Sequence, residues 1–109
     1  FDTPLDYQSL RGIGGSIGSG AIIAFNTTVD MWDMVRRFAE FFAEESCGQC
    51  TPCRVGTEKA VHLMGARRWD KPLLQELSQA MMDASICGLG QAAPNPMLSV
   101  MKYFPREVE

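Results

Sequence analysis

Cys47-Gly-Gln-Cys50-Thr-Pro-Cys53 places three thiols at successive three-residue steps, and Cys87 completes the four cysteines of the chain. Four thiolates suit one tetranuclear iron–sulfur cluster or one zinc ion, and the choice decides what such a chain does. Zinc sites usually draw their ligands from two separate Cys-x-x-Cys knuckles, and no second knuckle is present here. Three closely stepped thiolates can instead wrap one side of an iron–sulfur cube, with the remote cysteine closing the last iron. The pattern points to a [4Fe–4S] cluster on Cys47, Cys50, Cys53 and Cys87. A structural four-cysteine zinc module and a disulfide pair are the alternatives.

Composition weighs against the disulfide reading. With 46% hydrophobic residues, 7 Met and 6 Phe among 109 residues, the chain has apolar material for a core without covalent staples. Asp2, Pro4 and Asp6 interrupt any apolar run at the start, so no signal-peptide pattern is visible there. A reducing, cytoplasmic setting is expected, free or at the cytoplasmic face of a membrane complex. Net charge is −3 and no basic stripe is present, which argues against a nucleic-acid partner. The stretch from Gly20 to Phe25 is too short to cross a bilayer, so no direct membrane insertion is expected.

The chain begins with Phe1 rather than Met, which reads as a processed or excised piece of something longer. Ala21-Ile-Ile-Ala-Phe25 is a short Ile-rich run bounded by Gly20 and Asn26, and predicts a buried strand. No second strand follows, so this one is expected to join a sheet that lies elsewhere. The preceding Arg11-Gly-Ile-Gly-Gly-Ser-Ile-Gly-Ser-Gly20 resembles a phosphate loop only superficially. It opens the expected strand instead of following one, and Ile17 stands where a third glycine is required. A tight connector is the better reading.

Helical periodicity begins after Thr27. Thr27 and Asp30 suggest a capping arrangement, and Met31, Met34, Val35, Phe38, Phe41 and Phe42 form one apolar face to about Glu45. Thr51-Pro52 predicts the start of a second helix, with Thr51 as N-cap and Cys53 in its first turn, ending at Gly65. A third helix opens near Asp70-Lys-Pro72 with Leu73, Leu74, Leu77, Ala80 and Met81 on its buried side, and ends before Cys87. Asn95-Pro96 opens a fourth, carrying Met97, Val100, Met101 and Phe104 and stopped by Pro105. The expected fold is therefore mainly α: a small four-helix bundle around the cluster over residues 27–109, preceded by a glycine-rich segment and one strand over residues 1–26.

A cluster with four thiolates is strongly anionic and needs positive potential around it. Amides after Pro52 and in the Gly48-Gln49 turn are candidate donors, with Arg54 beside them. Gly48 and Gly88 each follow a cysteine, where close backbone approach or a positive φ is expected, and Gly56 implies a close helix contact. His62, the one histidine, reads as a surface or core residue because four thiols already complete the site. Ser46 has no accompanying His and carboxylate, so hydrolase chemistry is set aside.

Taken together, Glu45-Ser-Cys-Gly-Gln-Cys-Thr-Pro-Cys-Arg-Val-Gly56 and Ser85-Ile-Cys-Gly-Leu-Gly90, with Pro4-Leu-Asp-Tyr7 and Gly18-Ser-Gly20, resemble the iron–sulfur domain of NADH-oxidising flavoprotein subunits. That family includes the 51 kDa-type subunit of complex I and its relatives in NAD-reducing hydrogenases and NAD-dependent formate dehydrogenases. The resemblance implies that residues 1–26 close a ubiquitin-like β-grasp domain, and that one [4Fe–4S] cluster sits on the four cysteines beside a flavin. It implies FMN and NAD(H) sites on a preceding domain outside this sequence, and partners in that domain and in other iron–sulfur subunits. Leu89, in the Gly88-Leu-Gly90 turn, would form one wall of the flavin pocket. The implied function is one-electron relay between flavin and further clusters, within an oxidoreductase and not as a catalyst alone. The Cys53–Cys87 interval looks shorter than in complex I subunits, and Ser85 to Pro96 looks closer to the formate dehydrogenase and hydrogenase branch; the formate dehydrogenase β subunit is the favoured member, with complex I and hydrogenase subunits as the alternatives.

Overall fold

In the computed structural model, which describes residues 2–108, six α-helical segments follow one another: α1 (Tyr7–Gly12), α2 (Met31–Glu45), α3 (Thr51–Met64), α4 (Lys71–Ala84), α5 (Gly88–Ala92) and α6 (Asn95–Tyr103). A 3-10 turn, Pro105–Val108, ends the described chain. The four long helices expected from periodicity are all present. α2 packs on α3 and α6, α3 on α4, and α5 bridges α3 and α4. That bridge brings Cys87 to the end of the bundle where α3 begins.

Local chemistry sets the helix starts. The Asp30 carboxylate accepts the Trp32 amide at 2.9 Å, so Asp30 itself caps α2. The expected Thr27 cap is not formed; the Asn26 side chain instead accepts the Thr28 amide at 3.0 Å in a local turn. Asp70 caps α4 by accepting the Leu73 amide at 3.2 Å. α3 begins one residue earlier than Thr51 as a cap would require: Cys50 is the N-cap, and Thr51 and Pro52 occupy the first turn. α6 is likewise preceded by Pro94, with Asn95 already helical.

Val35, Ala60, Met64, Trp69, Leu74, Met97, Val100, Met101 and Val108 form the core. Leu74 and Met64 are fully buried, and the Trp69 indole N–H donates to Met64 O at 3.2 Å. The Trp69 amide donates to Val108 O at 3.1 Å, which fastens the last turn to the α3–α4 connection. Some expected core positions lie outside: Leu73, Ala80, Phe41 and Phe104 are exposed. Phe25, Met34, Phe38 and Phe104 line an open apolar groove beside α2 and α6.

Two short helices were not anticipated. α1 is closed by the Asp6 carboxylate, which accepts the Ser9 amide at 2.7 Å, and it buries no side chain, so no apolar periodicity could announce it. α5 contains two glycines and forms because it is packed against α3 and α4. The expected strand is corrected: among the described residues no strand forms, and the chain from Ala21 to Asn26 is irregular. Ile22 is 84% and Ile23 63% exposed, as follows when the residues of a strand have no neighbouring strand to pair with. We therefore expect the Ile22 and Ile23 amides to exchange with solvent far faster than those of α3. Hydrogen exchange as slow as in the bundle would contradict this exposure.

Gly56 confirms the expected close contact. A Cβ there would stand 2.7 Å from Met81 Cγ and Sδ, and Met81 is itself 1% exposed. Helix propensity alone favours alanine at such a site by about 1 kcal/mol. We expect Gly56→Ala to destabilise nonetheless, by about 1–3 kcal/mol through overpacking, read from the shift in a urea unfolding midpoint.

Candidate iron–sulfur site

The first cysteine loop spans the gap between α2 and α3. Glu45 ends α2, Ser46 turns extended, and Gly48 takes a φ of +77°, a conformation that a side chain at this position would strain. Cys47 is exposed, Cys50 half-buried and Cys53 buried, so the three thiols step inward from the surface to the first turn of α3. Arg54 holds this loop: its guanidinium donates to Gly48 O at 2.6 Å and to Thr51 Oγ1 at 3.4 Å. It is a brace for the loop and not merely a solvated surface charge.

Cys53 is fixed from behind. The Thr57 hydroxyl, in a side chain 2% exposed, donates to Cys53 O at 2.7 Å. Ser46 Oγ lies 3.3 Å from Cys53 Sγ and accepts the Gly48 amide at 3.3 Å.

The second loop carries exposed Cys87, the N-cap of α5. Gln91 ties it by donating from Nε2 to Ser85 O at 3.1 Å. Gly90 is buried, and a Cβ there would meet Ser85 Cβ at 2.6 Å and Cys53 Cβ at 2.8 Å. The two cysteine loops therefore abut through a contact that only glycine permits. Gly88 has open space and no positive φ, so of the two glycines expected to follow a ligand with special geometry, Gly48 alone has it.

The electrostatics favour thiolate. The Cys50 thiol is held below its ordinary range, first by the amide of Ile86 on the second loop and then by the Cys53 amide, with the Arg54 charge adding a smaller share. α3 has no side-chain cap bond, so its first-turn amides are free to face sulfur. Among the described residues no three His, Cys, Asp or Glu are gathered closely enough for a single metal ion. Four thiols stand on two abutting loops, and one of them is biased toward thiolate.

His62 is exposed on α3. Leu89, expected in an open turn, lies half-buried in the first turn of α5, where its carbonyl accepts the Ala93 amide at 2.9 Å. Sequence reasoning missed the roles of Ser46, Ser85, Thr57 and the Ile86 amide. Their one visible signal was proximity: Ser46 precedes Cys47, and Ser85-Ile86 precede Cys87.

We expect Gly90→Ala to force α5 away from Cys53. It should destabilise the chain by about 1–3 kcal/mol and lower the iron and sulfide retained per chain after anaerobic reconstitution. Full retention with an unchanged unfolding midpoint would show that the contact yields without cost.

The chain is similar in sequence and in structure to known proteins. The family described as the NADH-ubiquinone oxidoreductase-F iron-sulfur binding region matches residues 33–109. The HndC subunit of an NADP-reducing hydrogenase from Solidesulfovibrio fructosivorans is 35% identical over all of this chain and 24% of its own length. The F-type subunit of NADH-quinone oxidoreductase from Streptomyces coelicolor is 37% identical over all of this chain and 26% of its own. The mitochondrial NADH-ubiquinone oxidoreductase 51 kDa subunit of Aspergillus niger is 32% identical over 99% of this chain and 23% of its own. A crystal structure of an NAD+-reducing [NiFe]-hydrogenase in its H2-reduced state superposes with a TM-score of 0.73 at 40% identity, over 78% of this chain and 16% of that one. The chain thus spans about a quarter of the length of these curated relatives. It belongs to the iron–sulfur binding region family of NADH-oxidising flavoprotein subunits, whose cofactor is a [4Fe–4S] cluster.

Proposed function

We propose that this chain is the one-electron relay of an NAD(H)-linked oxidoreductase, with Cys47, Cys50, Cys53 and Cys87 holding the cluster between a flavin site and further iron–sulfur centres. The observation that carries the reading is the abutment of the two cysteine loops at Gly90, where Ser85 and Cys53 flank one point of the backbone. When bound, the cluster supplies reversible one-electron carriage, which a flavin that takes two electrons from a hydride needs in order to release them singly. The residues of the chain hold four thiolates from two loops, offset their charge with amides and Arg54, and shield the Cys53 end by burial.

FMN and NAD(H) belong, in this proposal, to a preceding domain. Exposed Ile22, Ile23 and Phe25 and the open groove at Met34 and Phe38 support a covering neighbour of that kind. We assign residues 1–26 to the end of a β-grasp unit and residues 27–109 to the cluster domain. Leu89, next but one to Cys87, is our candidate for the side that meets the flavin. A second reading concerns the branch. The stretch Ser85 to Pro96 supports a formate dehydrogenase β subunit, while the hydrogenase and quinone-reductase relatives support those branches equally well.

The test is direct. Anaerobically purified or reconstituted chain should be brown, with about four irons and four sulfides per chain, as one cube requires. It should accept electrons from dithionite but show no NADH–ferricyanide turnover and no stoichiometric FMN. Cys87→Ser should lose or degrade the cluster as severely as Cys50→Ser. A colourless protein holding one zinc would establish the structural alternative, and a Cys87→Ser protein with the full wild-type spectrum would remove Cys87 from the ligand set.

A further inference from the structure

The Cys53 end of the site has two hydroxyls that the relay proposal does not use. Ser46 Oγ lies 3.3 Å from Cys53 Sγ. Its oxygen accepts the Gly48 amide at 3.3 Å, which occupies a lone pair and leaves the single hydroxyl proton to be given to sulfur. An iron-bound thiolate has no proton, so the direction of this bond is set: the serine donates.

Ser85 stands on the other side. It is 6% exposed, and its Oγ is buried with no hydrogen-bond partner. A buried hydroxyl that has given up water without gaining a partner is destabilising, so an acceptor is called for. Its Cβ and that of Cys53 flank the same point above Gly90, at 2.6 and 2.8 Å from a Cβ built there, which sets the two side chains next to each other. The other polar groups of this corner are already engaged: Thr57 Oγ1 with Cys53 O, and Gln91 Nε2 with Ser85 O. Ser85 Oγ makes no hydrogen bond to Cys53 Sγ in this structure, and that sulfur is the acceptor the proposal below assigns to it.

We propose that Ser46 and Ser85 are positioning residues that grip the Cys53 thiolate between two hydroxyl donors and raise the reduction potential of the cluster. The inference rests on the relay reading above. Reduction adds one electron from an external reductant, with no covalent bond made or broken. The added negative charge spreads onto the sulfurs, and donors to sulfur favour that state over the oxidised one. In a buried corner of low dielectric the effect is larger than at the exposed Cys47 and Cys87 thiolates.

The experiment is a dithionite redox titration followed by electron paramagnetic resonance, on wild-type chain and on Ser46→Ala, Ser85→Ala and the double variant, with iron and sulfide counted in each. Each single variant should keep its iron and shift the reduction equilibrium toward the oxidised form by about tenfold, equivalent to about 59 mV for one electron, with the double variant lower still. Ser46→Thr, which keeps the hydroxyl, should restore the wild-type midpoint. Unchanged midpoints at full iron content overturn the proposal while leaving the relay reading intact. Should Ser46→Ala emerge without cluster, Ser46→Thr decides: a loaded protein with the wild-type midpoint sustains the proposal, and one as empty as the alanine variant overturns it. A wild-type chain that retains no iron overturns the relay reading and this inference together.

Discussion

The close approach of α5 to the first turn of α3 at Gly90 is the constraint on which the site depends. Ser85 and Cys53 press on the same point of the α5 backbone, leaving no room for a Cβ. Because Cys53 is anchored in α3 and Ser85 terminates α4, this contact sets the distance between the two cysteine loops. Under the relay proposal, that distance is what would let one cluster reach all four thiols. The core below, built on Met64, Leu74 and Met81, holds the helices that hold the contact.

Charge is managed along the same boundary. The N-cap of α3 accepts no amide through its side chain, which leaves the first-turn amides available to sulfur, and the Ile86 amide helps hold the Cys50 thiol below its ordinary range. Arg54 closes the loop through Gly48 O, so a positive charge and a backbone conformation are fixed by one side chain. Such coupling explains why an arginine serves here: its planar fork reaches two acceptors, which a lysine would not hold in one geometry. Burial grades the thiols, from exposed Cys47 and Cys87 to buried Cys53. Under the relay proposal, electrons would therefore enter or leave more readily at the exposed face, where a partner domain can approach.

The N-terminal segment shows what strand-like composition becomes without a strand beside it. Residues after Gly20 carry the β-branched composition of a buried strand, yet Ile22 and Ile23 face solvent. A strand is stabilised by ladder bonds to a second strand, and nothing within the described residues provides one. The groove at Met34, Phe38 and Phe104 includes Phe25 in its lining, so the apolar surface of the segment continues into that of the bundle.

By itself the sequence determined the four long helices and the four-cysteine pattern. Apolar residues at three- and four-residue steps, Asp30 and Asp70 at caps, and Pro52 and Pro96 in first turns are local signals, and local signals act whether or not the rest of the chain has folded. The triple cysteine step is equally local. Only the tertiary structure decided that glycine-rich Gly88–Ala92 is helical, that Leu73 and Ala80 face water, that Ser46 reaches the Cys53 sulfur, and that Ser85 and Cys53 crowd one point at Gly90. Those outcomes depend on residues far apart in the chain being pressed together, and neither spacing nor propensity contains that distance.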